Sequence, residues 1–575
     1  MSSEQCIDPA VAGVRMQWGV RIPLRDGIHL NGTLYLPPTQ ATSMPALFTL
    51  TPYIGQTYHD IGLYFAAHGF PFLTIDVRGR GNSEGSFRPL INEGNDAFDI
   101  VEWLAHQPYC NRQVSMWGGS YGGYAQWAAA AQAPPHLATI VPVASPYVGI
   151  DFPIRNNIAA PYWMQWLTLV AGRTSQDKMF WNSERYWGAL FRRWFESGAP
   201  FIALDRQLGH PSAVFEEWTA HPQLDSYWDS YNPTAEQYAR LSFPILTITG
   251  SYDGDQLGAL THYRNHVQSA AAARSQHYLV IGPWDHSGTR VPQRAFCGLE
   301  VGAASMIDMP RLHLDWYRWV MLGGAKPAFL KKNVAYYMMG ADDWRYADSL
   351  DDITVSRLSL YLHSATNPTD VLQSGSLLRA PGSSGPDHYT YDPRDIALAE
   401  LESTVDPEHR ADQRMHYAAV GRQLVYHSEP FATEVEVAGF FRLSLWLSID
   451  QPDTDFRAWV YEVAVDGSAV LLSVDSMRAR YRSGLRTPNL VTTREPLRYD
   501  FAQFMFVARR LAKRSRLRLV IGPVSSIYSE RNYNAGGCVA RESIDDARVV
   551  TVRLYHDVER PSALYVPLCG SAHDV

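Results

Sequence analysis

A serine flanked by glycines is the residue of this sequence best placed for nucleophilic chemistry. Gly118-Gly119-Ser120-Tyr121-Gly122 fits the pattern G-x-S-x-G and lies between a strand-like run, QVSMW, and a helix-like run, YAQWAAAAQA. A strand-to-helix turn this tight needs small neighbours and leaves the serine exposed at a helix N-terminus. We therefore predict that Ser120 is a nucleophile and that the backbone N–H of Tyr121 faces a developing oxyanion. The alternative is a glycine-rich turn without chemistry.

A serine hydroxyl needs a general base, and the base needs a carboxylate to orient it. After a serine in this setting, the acid and then the histidine follow later in the chain. Asp253 comes directly after the strand-like run PILTITGSY, and His286 follows the next strand-like run, HYLVIG. Both fall at strand ends, where catalytic groups gather in open α/β sheets. Asp253 and His286 are the predicted acid and base, and Asp255 and Asp285 are rival acids.

The second oxyanion donor is expected in the loop after the first internal strand. That strand ends in Thr51-Pro52-Tyr53, and no HGGG-type run is present in the sequence. A side-chain donor is therefore plausible, and the Tyr53 hydroxyl is placed to serve. The alternative for Tyr53 is an aromatic ring packed at a strand end.

The elements around these residues predict an α/β protein with a second, all-β part. Apolar strand-like runs alternate with helix-like runs up to residue 150 and again from 241, closing with a helix near Met309–Met321. This alternation is typical of a parallel sheet covered on both faces. Period-two alternation from about residue 355 indicates an antiparallel sandwich or jelly roll. We predict an α/β-hydrolase fold in residues 1–150 and 241–350, a helical cap insertion in 151–240, and an all-β jelly-roll C-terminal domain in 351–575.

The predicted cap is dense in tryptophan. Most of its indole rings are expected to fill the core of the cap, and the rest to line an apolar acyl pocket. Trp163 and Trp166 are the predicted pocket residues, which favours aromatic or bulky acyl groups over short aliphatic ones. The tryptophans of this segment are Trp163, Trp166, Trp181, Trp187, Trp194, Trp218 and Trp228.

Composition and charge exclude several other classes. The net charge of −8 is spread without long runs of one sign, unlike the clustered basic face of a nucleic-acid-binding protein. The five cysteines are widely spaced with no C-x-x-C pair, so neither a metal nor a cofactor is expected. We find no signal peptide and no apolar run long enough for a membrane span, which predicts a cytoplasmic protein without a membrane partner. Assembly into a homo-oligomer is left open.

Several motifs together resemble one known group of hydrolases. The sequence is similar to the cocaine esterase / X-Pro dipeptidyl-peptidase / α-amino-acid ester hydrolase group, over roughly residues 17–570. The motifs are Thr51-Pro52-Tyr53, the run from Asp76 to Gly85 (DVRGRGNSEG), Gly118–Gly122, Tyr252-Asp253, Gly282–His286 (GPWDH), Asp453–Phe456 (DTDF), Arg478–Arg482 (RARYR) and Arg531–Asn534 (RNYN).

The resemblance implies a triad of Ser120, Asp253 and His286, with an oxyanion hole from the Tyr53 hydroxyl and the Tyr121 amide. It also implies a structural charged pair between Asp76 and Arg78. The α-amino-acid ester hydrolases carry two adjacent acids just after the catalytic aspartate. This chain has Asp255 followed by a glutamine, so Asp255 matches one of the two acids and is a tentative ammonium ligand. Asp151 is a further candidate acid. The early start of the sheet favours the shorter, esterase-like type of the group.

The resulting prediction is a serine hydrolase that cleaves an ester or amide bond of a small-molecule substrate through an acyl-enzyme. Acyl transfer to an amine or alcohol would use the same residues, and an X-Pro or α-amino-acyl-specific enzyme is a further alternative. A carbohydrate-binding protein without catalysis is the alternative of another class. The retained order of serine, acid and histidine argues against it.

Overall fold

The computed structural model describes residues 9–39, 42–181, 186–209, 211–269, 272–382 and 385–572. Residues 1–8, on which the prediction of no signal peptide rests, lie outside these ranges. The described residues form two large sheets, one of 10 strands and one of 13. The first sheet carries the predicted catalytic residues, and the second lies in the C-terminal part of the chain.

The first sheet is mainly parallel, with antiparallel strands at both edges. Its order is β1-β2-β4-β3-β5-β6-β7-β8-β11-β12, and β9 and β10 form a separate small hairpin. The strands of this half are β1 (Arg15–Pro23), β2 (His29–Leu36), β3 (Met44–Thr51), β4 (Phe72–Asp76), β5 (Cys110–Gly119), β6 (Leu137–Val143), β7 (Ile245–Tyr252), β8 (His277–Asp285), β9 (Ala295–Phe296), β10 (Leu299–Glu300), β11 (Val334–Met338) and β12 (Asp343–Ala347).

The edge strands were not fully predicted from the sequence. β1, β2 and β4 pair antiparallel at one edge, and β11 and β12 pair antiparallel at the other. The sequence prediction ended the sheet with a helix after β8, so it lacked β11 and β12. β12 is largely half-exposed and contains the charged residues Asp343 and Arg345, so it shows no apolar run.

Helices cover the first sheet and fill the segment between β6 and β7. α3 buries Ala97, Ile100, Val101 and Leu104, the spacing of one helix face against a sheet. The helices are α1 (Pro9–Ala12), α2 (His59–Ala67), α3 (Glu93–Ala105), α4 (Tyr121–Ala131), α5 (Tyr162–Leu169), α6 (Asp177–Phe180), α7 (Gly188–Ser197), α8 (Leu204–Gln207), α9 (Ala213–Thr219), α10 (Ser226–Asp229), α11 (Ala235–Arg240), α12 (Gln256–Ser269), α13 (Ala273–Gln276), α14 (Met309–Leu322), α15 (Ala399–Glu402) and α16 (Arg414–Ala418).

The cap, with helices α5 to α11, is held together by aromatic packing. Its described tryptophans are at most 4% exposed, except Trp181, which is 70% exposed. Trp163 packs edge-on against Trp218 and Phe201 at centroid distances of 5.7 Å. Such edge-to-face pairs add to the free energy gained by burying the rings. Most of the tryptophans therefore fill the core of the cap.

The C-terminal domain is an all-β jelly roll. Its long path is β15-β24-β18-β25-β13-β14-β16-β23-β19-β20, with β17, β21 and β22 paired beside it. Leu358, Leu360 and Leu362 of β13 are buried while the residues between them are not, the alternation expected for a sheet with one face in a core. The strands are β13 (Ser356–His363), β14 (Gly375–Leu378), β15 (Asp387–Tyr391), β16 (Leu424–Ser428), β17 (Val435–Gly439), β18 (Arg442–Ile449), β19 (Asp455–Val463), β20 (Ala469–Arg478), β21 (Leu497–Phe501), β22 (Val507–Leu511), β23 (Arg516–Pro523), β24 (Val550–Tyr555) and β25 (Ala563–Leu568).

The fold class is thus an α/β-hydrolase with a helical cap, followed by an all-β jelly-roll domain. The boundaries proposed at residues 150, 240 and 350 stay predictions. Within the part of the chain that the structure describes, no helix is both long enough and apolar enough to cross a membrane.

A buried ion network joins the jelly roll to the start of the cap. The guanidinium of Arg478 donates to both carboxylate oxygens of Asp455 at 2.8 and 3.0 Å and to Glu530 at 2.8 Å. It also donates to the backbone oxygen of Asn157, at 3.0 Å, in the cap segment. The side chain of Arg478 is 2% exposed. Removing one partner of such a network leaves buried charges unpaired, which is strongly destabilising.

We expect Arg478→Met to destabilise the protein by about 3–5 kcal/mol, because the carboxylates of Asp455 and Glu530 then lack their cation. Arg498→Met is the matched control, since Arg498 is 55% exposed where it pairs with Asp500 and exposed pairs contribute about 1 kcal/mol or less. Calorimetric unfolding of both variants measures the difference. Equal unfolding midpoints would show that the network does not stabilise the domain contact.

Candidate functional site

Ser120 lies in a strained turn between β5 and α4. Its backbone has φ 59° and ψ −121°, a left-handed conformation that is rare for a residue with a side chain. A Cβ at Gly119 would approach Arg290 Nη1 to 2.7 Å, and a Cβ at Gly123 would approach the Val143 oxygen to 2.7 Å. A side chain at Gly123 would therefore collide with the backbone of the neighbouring strand, one at Gly119 would displace Arg290, and one at Gly122 would meet no atom within 4 Å.

The side chain of Tyr121 anchors this turn to α3. Its hydroxyl donates to the carboxylate of Glu93 and accepts from the Leu90 amide at 2.9 Å. Burial raises the pKa of Glu93 to about 7. The backbone N–H of Tyr121 is at the first position of α4, where an N–H has no acceptor within its own helix. The amide is thus available to a ligand beside Ser120.

His286 is bonded to Asp253 at the ends of β8 and β7. His286 Nδ1 lies 2.7 Å from Asp253 Oδ1, and Thr249 Oγ1 donates to Asp253 Oδ2 at 2.9 Å. The backbone N–H of Asp255 donates to Asp253 Oδ1 at 3.0 Å. Burial opposes a charged imidazole, but the Asp253 carboxylate outweighs it, so the pKa of His286 is raised. The hydrogen bond at Nδ1 leaves Nε2 as the nitrogen that can accept a proton.

The rival acids occupy different positions around the histidine. Asp255 Oδ2 lies 3.8 Å from His286 Nδ1, longer than a hydrogen bond. Asp285 accepts the backbone N–H of Gly288 at 2.6 Å and so stabilises the turn that carries the histidine. Of the three aspartates, Asp253 is therefore the one that orients the imidazole.

Tyr53 lies against Ser120 at the end of β3. Its hydroxyl interacts with the Ser120 side chain, and its oxygen accepts from Trp166 Nε1 at 3.0 Å. An indole N–H can only donate, so the hydroxyl proton of Tyr53 remains free to donate to another acceptor. Burial raises the pKa of Tyr53, which keeps the hydroxyl protonated.

Trp166 and Trp163 are in different environments. Trp166 stacks on Tyr121 at a centroid distance of 6.2 Å and stacks on Trp218, also at 6.2 Å. It borders the site and orients Tyr53. Trp163 is 2% exposed, and its Nε1 donates to the Pro153 oxygen, so it lies within the core of the cap. The structure brings Trp166, but not Trp163, into contact with the predicted oxyanion residues.

Arg80 ties the Tyr53 loop to the cap. It is completely buried and donates to the Pro52 oxygen at 2.8 Å and to the Val170 oxygen at 2.8 Å. It also donates to the oxygens of Gly172 and Thr174, which follow α5. Pro52 precedes Tyr53, and α5 carries Trp166. One guanidinium therefore positions both partners of the Tyr53–Trp166 hydrogen bond.

The predicted pair between Asp76 and Arg78 is wrong. Arg78 bonds to Asp96 at 2.8 and 2.5 Å and to Asp26 at 2.9 Å. Asp76 instead accepts the Gly55 amide at 2.6 Å. Asp76 and Arg78 are close together in the sequence motif, but their side chains have different partners, which the motif alone does not show.

Acidic groups surround the histidine in addition to Asp253. Burial raises the pKa of Asp255 to about 7, and the nearby Asp253 adds to this. Asp151 accepts backbone N–H groups from Tyr147, at 2.9 Å, and from Gly258. Burial and the charge of Asp255 raise the pKa of Asp151. Asp151, left unaligned by the sequence, is thus close to the predicted ammonium ligand.

Two residues that the sequence did not single out also face this region. Tyr162 of α5 is 43% exposed and interacts electrostatically with Tyr53, Asp255 and Glu408. Glu408, from the C-terminal domain, interacts with His286, and burial raises its pKa. Neither position carries a motif, because each reaches the site only through the packing of the cap or of the C-terminal domain.

Asp253, Asp255 and His286 each offer an atom that could bind a metal ion, and these atoms lie within 4.8 Å of one another. His286 Nδ1, however, is the atom already bonded to Asp253. Its second nitrogen faces away from that carboxylate. The closeness of these three side chains is therefore explained by the position of the imidazole between two carboxylates.

Comparison with protein families gives two matches along the chain. The model described as X-Pro dipeptidyl-peptidase (S15 family) matches residues 26–288. The model described as X-Pro dipeptidyl-peptidase C-terminal non-catalytic domain matches residues 329–537. The two matches include the serine turn, the aspartate and histidine loops, and much of the jelly roll.

Similar proteins match nearly the whole chain. A cocaine esterase of Rhodococcus is 27% identical over 96% of this chain and 98% of its own length. A putative serine esterase of Mycobacterium bovis is 30% identical over 80% of each chain. Among solved structures, an α-amino acid ester hydrolase has the same fold, with a TM-score of 0.81 and 21% identity over 99% of both chains. The chain therefore belongs to the family of serine hydrolases that includes X-Pro dipeptidyl-peptidases (S15) and cocaine esterase.

Proposed function

We propose that this enzyme hydrolyses an ester or amide bond of a small-molecule substrate through an acyl-enzyme on Ser120. The observation that carries the proposal is the 2.7 Å bond between His286 and Asp253 at the carboxyl ends of β8 and β7, the same edge of the sheet at which β5 leads into the serine turn. A serine, a histidine and an aspartate in this chain order are the parts that nucleophilic acyl transfer needs.

In the proposed reaction, Ser120 Oγ attacks the acyl carbon while its proton passes to His286 Nε2. The C–O or C–N bond then breaks, and His286 returns the proton to the leaving alcohol or amine. Water attacks the acyl-enzyme ester in the same way, and the carboxylic acid leaves as the serine regains its proton. Asp253 holds the imidazole in one tautomer and stabilises its charged form.

The negative charge that develops on the acyl oxygen needs donors fixed in advance. The Tyr53 hydroxyl and the Tyr121 amide are the proposed pair. The Trp166 bond supports this role for Tyr53, because it occupies the phenol oxygen as an acceptor and leaves the proton for the substrate. Tyr121 is the first residue of α4, and this position supports its amide as the second donor. The partial positive charge of a helix N-terminus favours an oxyanion.

A second candidate is an enzyme selective for α-amino-acyl substrates. The carboxylates of Asp255 and Asp151 near His286 favour it, because a substrate ammonium would pair with them. A structural relative is an aminopeptidase of a Thaumarchaeota archaeon, with a TM-score of 0.81 and 20% identity over 99% of both chains. Gln256 occupies the position of the second of the two adjacent acids expected for α-amino-acid ester hydrolases. Its side chain bonds to the backbone of Phe506.

Other aspects of the function stay predictions of the sequence. These are the cytoplasmic location, the state of oligomerisation, the lack of cofactors, and the absence of nucleic-acid or membrane partners. Hydrolysis and acyl transfer share the acyl-enzyme, so product analysis with an added amine or alcohol separates them. A substrate-binding role for Trp163 and Trp166, with a preference for bulky acyl groups, is also a proposal.

We expect Ser120→Ala to abolish turnover, since loss of the nucleophile costs roughly 10⁴–10⁶ in kcat. The variant should also fail to react with a fluorophosphonate probe. Ser275→Ala is the matched control because Ser275 is exposed outside the site, and it should react like wild type. Turnover of Ser120→Ala above about one hundredth of the wild-type rate would refute the assignment.

Tyr53→Phe should lower kcat by about 10²–10³, the usual result of losing one oxyanion donor. KM should change less, because the donor acts mainly in the transition state. Trp166→Phe keeps an aromatic ring but removes the N–H that orients Tyr53, so it should lower kcat by a smaller factor. An unchanged kcat in Tyr53→Phe would show that the Tyr53 ring packs at the strand end without acting as an oxyanion donor.

Asp255→Asn should move the pH profile of kcat/KM to lower pH. The reaction needs neutral His286, so activity rises with pH through the pKa of this residue. The Asp255 carboxylate contributes to raising the pKa of His286, and its removal therefore lets the base stay neutral at lower pH. Asp466→Asn, an exposed site in the C-terminal domain, is the control that should leave the profile unmoved.

The same variant tests the α-amino-acyl candidate. Phenylalanine methyl ester should react faster than 3-phenylpropionate methyl ester in wild type, and Asp255→Asn should remove that difference. Equal rates for both esters in wild type would exclude ammonium recognition and leave a general esterase or amidase. That result would leave the assignment of Ser120 as nucleophile unchanged, because the reaction with the fluorophosphonate probe tests it separately.

A further inference from the structure

A cavity away from the candidate site lies between the hydrolase part and the C-terminal domain. It has a volume of about 650 Å³ and is bordered by α12 on one side and by β13 and the start of β18 on the other. None of the residues that line it belongs to the predicted triad or oxyanion hole. This volume is within the range of small-molecule sites, roughly 300–1,000 Å³.

Three arginines line this space, which we call the arginine cavity and define by Arg264, Arg357 and Arg442. Arg264 lies over the ring of Phe440 at 4.4 Å. Arg357 Nη1 donates to the Phe440 backbone oxygen at 2.8 Å. Arg264 and Arg357 are thus each fixed by one phenylalanine, which reduces the conformational freedom that a ligand would otherwise have to remove.

The positive charge in the arginine cavity is only partly balanced by the protein. Within the described ranges, none of the three arginines has a carboxylate oxygen within 4.0 Å, in contrast to Arg78, Arg478 and Arg510, which are paired. Asp351 is the one acid in the lining. Burial lowers the pKa of Arg264 and of Arg357, and the charge of Arg442 lowers both further, while the charge of Asp351 acts in the opposite direction on Arg264. A bound anion would relieve this repulsion.

The rest of the lining is mixed: Ile150, Leu257, Leu350, Val355 and Ala502 are apolar, and Thr261, Thr354, Ser356 and Gln503 are polar. Leu257, Thr261 and Arg264 are spaced along one face of α12, so this face leads from a leucine past a threonine hydroxyl to a guanidinium. Val355, which is 67% exposed, and the partly buried Phe440 add apolar surface, whereas Phe504 is completely buried. The side-chain oxygen of Gln503, also in the lining, is buried and has no hydrogen-bond partner among the described residues.

We propose that the arginine cavity binds a small organic anion, a carboxylate or a phosphate monoester with an apolar body. A planar guanidinium matches both kinds of anion with two parallel hydrogen bonds. Leu257, Val355 and Phe440 then offer apolar contacts to the body of the ligand. This site is separate from the proposed catalytic centre and does not depend on that proposal.

Calorimetric titration of the full chain tests the proposal with phenyl phosphate, benzoate, inorganic phosphate and benzyl alcohol. We expect phenyl phosphate or benzoate to bind more tightly than inorganic phosphate, which lacks the apolar body, and benzyl alcohol not to bind. The ratio of the first two affinities identifies the preferred anion. No binding of any anion up to about 10 mM, a concentration that detects even weak millimolar complexes, would overturn the proposal.

Variants then locate the binding. Arg442→Gln should weaken the binding at least tenfold, since a hydrogen bond between charged groups contributes about 1.5–3 kcal/mol. Arg442 is exposed, so this substitution leaves the core intact, whereas Arg264→Gln removes a more buried cation and should have a similar effect. Arg553→Gln, exposed on β24, is the control and should bind like wild type. Equal affinities in wild type, Arg264→Gln and Arg442→Gln would place the anion elsewhere and refute the site.

Discussion

The candidate site depends on one buried cation that the protein surrounds with carbonyl oxygens. Arg80 has no carboxylate within salt-bridge distance among the residues described, and it instead bonds to the backbone before Tyr53 and after α5. Burial lowers its pKa, while the charge of Asp76 acts in the opposite direction. The carbonyls after a helix carry partial negative charge and so stabilise a cation there. Because the guanidinium is planar and rigid, it fixes the distance between the sheet and the cap, and hence the Tyr53–Trp166 contact.

The C-terminal domain also shapes the region around the histidine. Gln256, next to Asp255, bonds to the backbone oxygen of Phe506 at 3.1 Å and accepts the Phe506 amide at 2.6 Å. The first turn of α12 is therefore tied to the second domain directly after the acid loop. Glu408 approaches His286 from the same domain. Since these contacts and the Arg478 network all cross between domains, the jelly roll contributes to the geometry of the site as well as to stability.

The sequence allowed the positions of the proposed catalytic residues to be predicted better than the contacts around them. Ser120, Asp253 and His286 stand at strand ends in a fixed order, and strand ends are visible as apolar runs followed by polar residues. The edge strand β12 lacks such a run because its charged side chains face solvent, so it was missed. The pairing of Arg78 with Asp96, and the approach of Glu408, arise from contacts between segments far apart in the chain. No local pattern encodes such contacts, which is why the pair proposed for Asp76 was wrong.

In the proposed mechanism, the charges around His286 would link the binding of an ammonium substrate to the pKa of the imidazole. Asp253 and Asp255 raise the pKa of the imidazole, and the positive charge of Arg290 lowers it. In the proposed complex with an α-amino-acyl substrate, the ammonium pairs with Asp255 and cancels part of the negative field at His286. The pKa of the imidazole then falls on binding, so a larger fraction is neutral and ready to accept the serine proton. A substrate without an ammonium leaves that field in place. Asp255 would thus distinguish substrates through the protonation of the base as well as through direct contact.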